Sequence, residues 1–296
     1  MRLKFWQRGQ PSARLGLYLG NHEIASVFAA SHQPLQINAV RRKGELLDQL
    51  RQLAEPSWQG AECLVVIGSS SYELVAVDRP AVPEDELALA LPWAVQDLTR
   101  RPAAKLITDY FQMASQPSGH DKLNVVCSDS EQLQPVVDAL QQLGIALASI
   151  SIEELALASQ LVSDQPQALL FQVPGDDLLL LLLHAGKLHL ARRLRGYQDI
   201  HSAPLEQWGA PLIDTLAVEL QRSMDYFESQ LRQPPVKEVV LALPLAEIGL
   251  FAEMLAASLI VPVQQWPLIC GQGVPLSSNA ERLACGALAM LRETQP

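Results

Sequence analysis

The chain has 296 residues, 49% of them hydrophobic and 18% charged, which supports a sizeable core in one large or two medium domains and excludes a disordered chain. A net charge of −10 and a pI near 5.1 exclude a general nucleic-acid binder, because phosphate backbones need a basic surface. The four cysteines, Cys63, Cys127, Cys270 and Cys285, form no CxxC pair, which fits a reduced, cytosolic compartment better than a disulfide framework or a zinc site.

The start, residues 1–13, is a basic tail. It mixes Arg2, Lys4 and Arg8 with Leu3, Phe5 and Trp6, a combination suited to an anionic interface or a partner contact, and it lacks an apolar core of signal-peptide length. A hairpin follows, Leu15–Leu19 and Ile24–Ala30, turning through Gly20-Asn21-His22-Glu23. A third strand is predicted near Leu35–Arg41, a helix over Glu45–Ala54, and an apolar strand over Cys63–Ile67 that ends in Gly68-Ser69.

The next stretch has a different plan. Tyr72–Arg79 reads as a strand, Pro83–Leu98 as a helix opened by Glu84, Asp85 and Glu86, and Leu106–Ala114 and Lys122–Cys127 as strands. Acidic residues in a first turn suit the helix dipole. Pro92 removes a donor and clashes with the previous turn, so a kink or a later start is expected there. Glu131–Leu143 places Leu133, Val136, Val137, Leu140 and Leu143 on one helical face, closed by Gly144. Together these form an inserted βαββα subdomain at about 71–145.

From Ala168 the first plan repeats. Strands over Ala168–Val173 and Leu178–His184 turn through Pro174-Gly175-Asp176-Asp177, and Lys187–Arg193 follows. Leu178–Leu183 is a run of six leucines, far short of the roughly 20 residues a membrane helix needs, and reads as a buried strand. Both third strands end in a basic pair and then a glycine: Arg41-Arg42 before Gly44, and Arg192-Arg193 before Gly196. A helix over Pro211–Leu231 carries the stripe Leu212, Leu216, Leu220, Met224, Phe227 and Leu231. Strand Glu238–Leu243, a helix near Leu245–Leu259, a short strand over Val261–Val263 and a last helix beginning at Asn279 complete the chain. The halves are 14–165 and 166–293.

These pieces resemble the PilM branch of the actin-like superfamily, the cytoplasmic scaffold of type IV pilus assembly, related to the division protein FtsA. The residues that carry the likeness are the hairpin Arg14–Val27, Asp78–Leu87 with Asp109-Tyr110 downstream, Leu147–Leu157 with its Ile152-Glu-Glu, the helix Leu216–Phe227, and Cys285–Ala289. Size and the lack of a membrane span point to the MshI variety, from mannose-sensitive haemagglutinin (MSHA) pilus systems. The resemblance implies an α/β fold, a duplicated actin-like (FtsA/PilM-type) plan with the inserted subdomain in the first half. The cytoplasmic part of the type II secretion protein GspL is similar in fold.

The resemblance also implies a nucleotide site, and here the sequence departs from the family. Two hairpin aspartates normally manage Mg2+ and its waters; their positions hold Tyr18, beside Gly20 and Asn21, and Gln172. Pro174, before Gly175, replaces a glycine and has no amide to donate. The small-Gly-Gly turn that holds adenosine reads Ala242-Leu243-Pro244, and Leu243 is expected to fill the space of the base. Glu219 and Arg222 remain where the family helix meets the nucleoside. Mg2+ wants oxygen ligands in near-octahedral geometry, which a phenol and an amide supply poorly. The expectation is a non-catalytic scaffold with a degenerate ATP site and no cofactor. It would bind the N-terminal cytoplasmic peptide of a PilN-like inner-membrane protein in the groove between the first actin-like subdomain and the inserted subdomain, together with other pilus platform proteins. It would lie in the cytoplasm, at the inner membrane only through partners.

Several alternatives stand beside this. An intact site could use Asp176 or Asp177; the chain could be an ATP-binding or ATP-hydrolysing enzyme, although a kinase needs the base and metal ligands that Tyr18 and Gln172 replace. It could be a nucleotide switch held through Glu219 and Arg222, or a GspL-like component, and polymerisation stays open. His184 and His189 flank a turn without a carboxylate partner and read as ordinary histidines rather than a metal pair. Gly68-Ser-Ser-Ser-Tyr72 reads as a strand-end turn, because Tyr72 takes the place of the closing glycine of a nucleophile elbow.

Overall fold

The computed structural model describes residues 13–99, 105–202, 205–271 and 273–293; the basic tail expected at 1–13 lies outside them except for its last residue. The first half opens with β1 (Ala13–Leu19), β2 (Glu23–Ala30) and β3 (Gln36–Arg41), then α1 (Leu46–Leu53), a short 3-10 turn at Pro56–Trp58 and β4 (Glu62–Ile67). The chain then leaves this sheet. β5 (Tyr72–Asp78), α2 (Glu84–Val95), β6 (Leu106–Gln112) and β7 (Lys122–Asp129) make a separate antiparallel sheet in the order β5-β7-β6. α3 (Ser130–Gln142), β8 (Ala146–Ile152) and α4 (Glu153–Ala158) return to the first sheet, whose order is β3-β2-β1-β4-β8.

The second half repeats the plan with β9 (Gln167–Phe171), β10 (Leu178–His184), β11 (Lys187–Leu194), α5 (Leu205–Ser229), β12 (Glu238–Ala242), α6 (Ile248–Ser258) and β13 (Val263–Gln265). Its order, β11-β10-β9-β12-β13, matches the first sheet strand for strand. In both, the first three strands are antiparallel and the fourth runs parallel to the first. A small hairpin, β14 (Ile269–Cys270) and β15 (Val274–Pro275), leads into α7 (Asn279–Glu293).

Side-chain alternation along the strands explains the layering. Tyr18, Leu64 and Val66 from the first sheet and Leu169, Phe171, Leu179, Leu181 and Leu183 from the second share one core with α4 and α7. Leu15, Leu17, Cys63 and Val65 face the opposite way, towards α1 and α3. Ala168, Leu170, Leu178, Leu180 and Leu182 face α5 and α6. The six-leucine run is therefore a strand buried on both faces, which is why it shows no polar alternation. α7 is the shared helix. A Cβ on Gly16 would sit 2.1 Å from the Ala284 carbonyl oxygen, and one on Gly286 would sit 2.4 Å from that of Ala156, so these glycines let α7 rest directly on β1 and α4.

Some expectations need correction. α3 was assigned to the inserted subdomain by its position, but Val136, Ala139 and Leu140 are buried in the first half's outer core with Leu50 and Leu53 of α1. The inserted sheet with α2 thus spans 72–129; an apolar stripe does not say which sheet it will meet. α2 begins at Glu84 and runs through Pro92 without a later start. α5 begins at Leu205, ahead of Pro211. Cys270 and Cys285 form a disulfide, Cα–Cα 6.0 Å, against the expectation of none; β14 brings Cys270 beside α7, a contact no CxxC spacing signals. No helix among the described residues is long and apolar enough to cross a membrane.

Candidate functional site

The two hairpin turns that bracket the expected phosphate position touch each other. The Asn21 side-chain amide donates to Asp176 Oδ1 at 2.6 Å. Ser70 donates to the Asn21 side-chain carbonyl, and Asn21 reaches Ser69 Oγ at 3.4 Å. Gly175 has φ +87°, and a Cβ there would lie 2.9 Å from the His22 ring. The turns are close enough that a side chain at Gly175 would collide with His22.

Tyr18 projects from β1 into the shared inner core because its residue parity faces α4 and α7. It is fully buried, and its phenol donates to Glu153 Oε1 at 2.8 Å. Its ring atoms would stand 2.6–2.8 Å from a Cβ on Gly20, so the ring fills the space under the first turn. Glu153 and Glu154 open α4 and share one cation: Arg193 of β11 donates to Glu153 at 2.7 Å, to Glu154 at 2.9 Å and to the Tyr72 hydroxyl at 2.7 Å. Tyr72 in turn donates to Glu154. Two nearly inaccessible carboxylates are thus held by one guanidinium.

The environment moves these groups in known directions. Burial raises the Tyr18 phenol well above its usual range, reinforced by the Glu153 charge. Burial raises the Glu153 carboxyl, with Arg193 opposing. Burial pulls the Arg193 guanidinium down, but Tyr72, Glu153 and Glu154 hold it well above its ordinary value. Burial also raises the Asp176 carboxyl, partly offset by the Asn21 hydrogen bond. A phenol donating to a buried carboxylate is neither a base nor a metal ligand.

Gln172 is equally committed. Its side-chain amide donates to the carbonyls of Asp176 and Tyr197 at 2.9 and 2.7 Å. Gln172 Oε1 and Asp176 Oδ2 are buried without a hydrogen-bond partner. Mg2+ typically takes one or two carboxylates from a protein and completes its shell with phosphates and waters; the unpartnered oxygens here are one amide and one carboxylate. Among the described residues no group of three His, Cys, Asp or Glu could hold a metal ion. The side chains at the two expected aspartate positions, Tyr18 and Gln172, are neutral and hydrogen-bonded within the protein.

On the nucleoside side, Glu219 is taken by Arg192 at 2.9 Å and Arg222 at 3.0 Å, and Arg192 also donates to Ser223. Leu243 is buried among Leu241, Ile248 and Phe251 in the outer core. Its side chain belongs to that core. The element beside this position is Asn279, which donates to the carbonyls of Gln172 and Ala242 at 2.8 and 2.7 Å. Asn279 therefore joins α7 to the ends of β9 and β12, and the N-terminus of α7 is capped instead by Ser278, whose hydroxyl accepts from the Glu281 amide.

Spacing rules do not reveal this cluster. Tyr18, Tyr72, Glu153 and Arg193 are far apart in the chain and belong to four elements. The one available signal was a charged pair, Glu153-Glu154, directly after β8 at the start of a helix. His184 and His189 have ring centroids 6.0 Å apart, and each has its own partner, Gln233 and Ser115.

A second opening lies beside the inserted sheet. β5 and β11 are each the outermost strand of their sheets. One cavity of about 370 Å³ is lined by Leu74, Val75 and Ala76 of β5 and by Leu188–Ala191 of β11. An adjoining one of about 470 Å³ is lined by Tyr72–Val75, Ser69, Ser70, Glu154 and Ala191–Arg193. Consecutive residues of each strand line them, as happens when the wall is a strand edge and not a sheet face. Residue numbers rise along β5 as they fall along β11, so the two edges are antiparallel across the gutter.

No protein-family model matches the chain, and no curated protein sequence matches it significantly. Solved structures do. A chain of the PilM–PilN type IV pilus biogenesis complex superposes with a TM-score of 0.67 at 17% identity, over 96% of this chain and 99% of that one. The cytoplasmic domain of EpsL, an inner-membrane component of the type II secretion system of Vibrio cholerae, gives 0.52 at 17%, over 94% and 95%. A protein of Bacteroides thetaiotaomicron with an actin-like ATPase fold and unknown function gives 0.55 at 11%, over 86% and 91%. The chain has the actin-like fold. At these identities the likeness speaks for architecture, and the chemistry of the cleft has to be read from its own residues.

Proposed function

We propose that this chain is a non-catalytic scaffold of a type IV pilus assembly platform, of the MSHA type, which holds an extended N-terminal peptide of a PilN-like inner-membrane protein. The observation that carries the first part is the Asn21–Asp176 contact at 2.6 Å. It bridges the two turns between which an actin-like protein would seat phosphates, over a Tyr18 hydroxyl and a Gln172 amide nitrogen that are already engaged. The partner is argued by analogy with the PilM–PilN neighbour, which shares this architecture over nearly its whole length. The gutter between β5 and β11 suits an extended peptide, because strand edges offer backbone donors and acceptors while pockets select side chains. The residues lining its middle are Leu74, Val75 and Ala191. In this reading the protein works in the cytoplasm and meets the membrane through its partner.

Calorimetric titration with Mg·ATP up to millimolar concentration tests the first part: no heat and no thermal shift are expected, and saturable binding would overturn it. Titration with a synthetic peptide of the partner's cytoplasmic head tests the second, with binding expected to be lost when the gutter is blocked. The likeness to EpsL favours a second reading, a type II secretion component; a peptide from the cytoplasmic head of a secretion-system partner, tested in parallel, separates the two.

A further inference from the structure

We propose that Cys270 and Cys285 form a reversible thiol–disulfide switch that fastens the β14–β15 hairpin to α7. The four cysteines fall into two classes. Cys63 and Cys127 are in no disulfide and are buried inside separate apolar cores, and burial raises the Cys63 thiol far above its usual range, so it is inert as a nucleophile. Cys270 and Cys285 are bonded to each other and both line a cavity of about 320 Å³, with Leu35, Gln160, Trp266 and Leu288. Both cysteines are nearly buried, 5% and 4% exposed, so this cavity is the route by which a small thiol would reach the sulfurs.

The bond sits where it has mechanical leverage. Cys285 lies on α7, which rests on β1 through Gly16 and is tied to the second sheet through Asn279. Cys270 lies on a hairpin held by two strand pairs, Ile269 with Pro275 and Cys270 with Val274. Just before the hairpin, Arg282 stacks on Trp266 at 3.9 Å and donates to the Pro267 carbonyl at 2.7 Å. That anchor does not involve the sulfurs. Breaking the disulfide therefore loosens 268–276 and leaves the chain before it in place.

The chemistry balances with a low-molecular-weight monothiol as reductant. Its thiolate attacks one cysteine sulfur, the S–S bond breaks, and the other cysteine leaves as a thiolate and takes up a proton. A second monothiol resolves the mixed disulfide and leaves as the symmetrical small disulfide. Two electrons and two protons pass to the protein, and the reverse reaction uses the small disulfide as oxidant. The proposal is independent of the scaffold reading, since it uses neither the cleft nor the gutter.

The test uses the full chain equilibrated in glutathione buffers from fully oxidised to millimolar reduced, followed by acid quench, alkylation and mass spectrometry. The Cys270–Cys285 bond is expected to open and re-form across that range, while Cys63 and Cys127 stay thiols throughout. The reduced form is expected to melt on the order of 5–10 °C lower, from the loop-closure contribution of a bond of this span, and to be cleaved faster within 268–276 in limited proteolysis. Cys285→Ser should abolish the dependence of both readouts on glutathione. A pair that never oxidises, or one that stays bonded in millimolar reduced glutathione, overturns the proposal; so does a melting temperature that ignores the bond's state.

Discussion

The two boundaries between the halves of this molecule are built from opposite materials. At the hairpin turns, side chains reach across and close the space: Asn21 to Asp176, Tyr18 to Glu153, and Arg193 to both glutamates. At the gutter, β5 and β11 face each other as outer strands, and cavities remain between them. In an actin-like plan the first boundary is where a nucleotide would bind, and here its polar groups have become internal cross-links. Polar residues that line a cleft can satisfy one another across it. On the proposed reading, recognition falls to the edge of the inserted sheet.

The largest break in this comparison is expected from Arg193→Met. It removes the one cation from Glu153 and Glu154, both almost inaccessible to solvent, and stripping a partner from buried charges costs roughly 3–5 kcal/mol. The loss carries a pH signature. Burial already places the Glu153 carboxyl above its ordinary value, so the folded state holds its proton more tightly than the unfolded state. Its contribution is most favourable at low pH and declines as pH rises from the unfolded carboxyl value, ~4.3, through the raised folded one. Urea denaturation at pH 5 and pH 8 should show a larger deficit for the variant at pH 8. A deficit that does not change with pH would mean that the glutamates are not held by Arg193 as charges.

Next is Gly16→Ala. The new methyl would meet the Ala284 carbonyl and the Leu288 amide at 2.1 and 2.6 Å, backbone atoms that move only if α7 moves. Overpacking of this kind costs about 1–3 kcal/mol, read as a lower denaturation midpoint at unchanged slope. A neutral result would mean that α7 does not rest on β1.

The gutter side is sharpened by Ala76→Arg. Ala76 is exposed and lines the apolar cavity, so stability should stay within about 0.5 kcal/mol of the parent. Affinity for the partner peptide should fall at least tenfold, which is about 1.4 kcal/mol. Unchanged affinity would move the peptide elsewhere on the inserted sheet.

Much of this architecture was legible in the sequence, for reasons that also mark where legibility stopped. Both hairpins, the repeat and the inserted strands follow from short apolar runs bounded by turn residues, which act locally. The six-leucine run was readable as a buried strand because its length excluded a membrane helix. Tyr18 and Gln172 were visible as departures from a family pattern, but what they do instead was not. Tyr18 meets Glu153 across 135 residues of sequence, and Arg193 meets Tyr72 across 121; no periodicity connects positions so distant. The same limit hid the Cys270–Cys285 pair and the placement of α3 on the first sheet. Leu243, just past the end of β12, clusters with Ile248 and Phe251 of α6, a contact that its motif position does not announce.

The smallest expected effect is the most discriminating one. Asn21→Ala removes the donor from Asp176 Oδ1, whose sister oxygen already lacks a partner. An unpaired buried acceptor costs on the order of 1–3 kcal/mol; here the lower end is expected, because protonation offers the carboxyl a way out. Burial already raises Asp176 and the Asn21 bond restrains it, so the variant should raise it further. The folded state then gains a proton relative to the unfolded one, and the deficit should be small near the unfolded aspartate value, ~3.9, and grow as pH rises. The variant also separates a cleft that is filled from one that is merely latched. With the latch gone, Tyr18, Gln172 and Asn279 still occupy the positions where magnesium, phosphate and the strand-end carbonyls would be managed, so Mg·ATP should still produce no heat. If Asn21→Ala instead binds Mg·ATP, the chemistry was present all along behind a single hydrogen bond, and the contrast between the two boundaries is one of conformation, not composition.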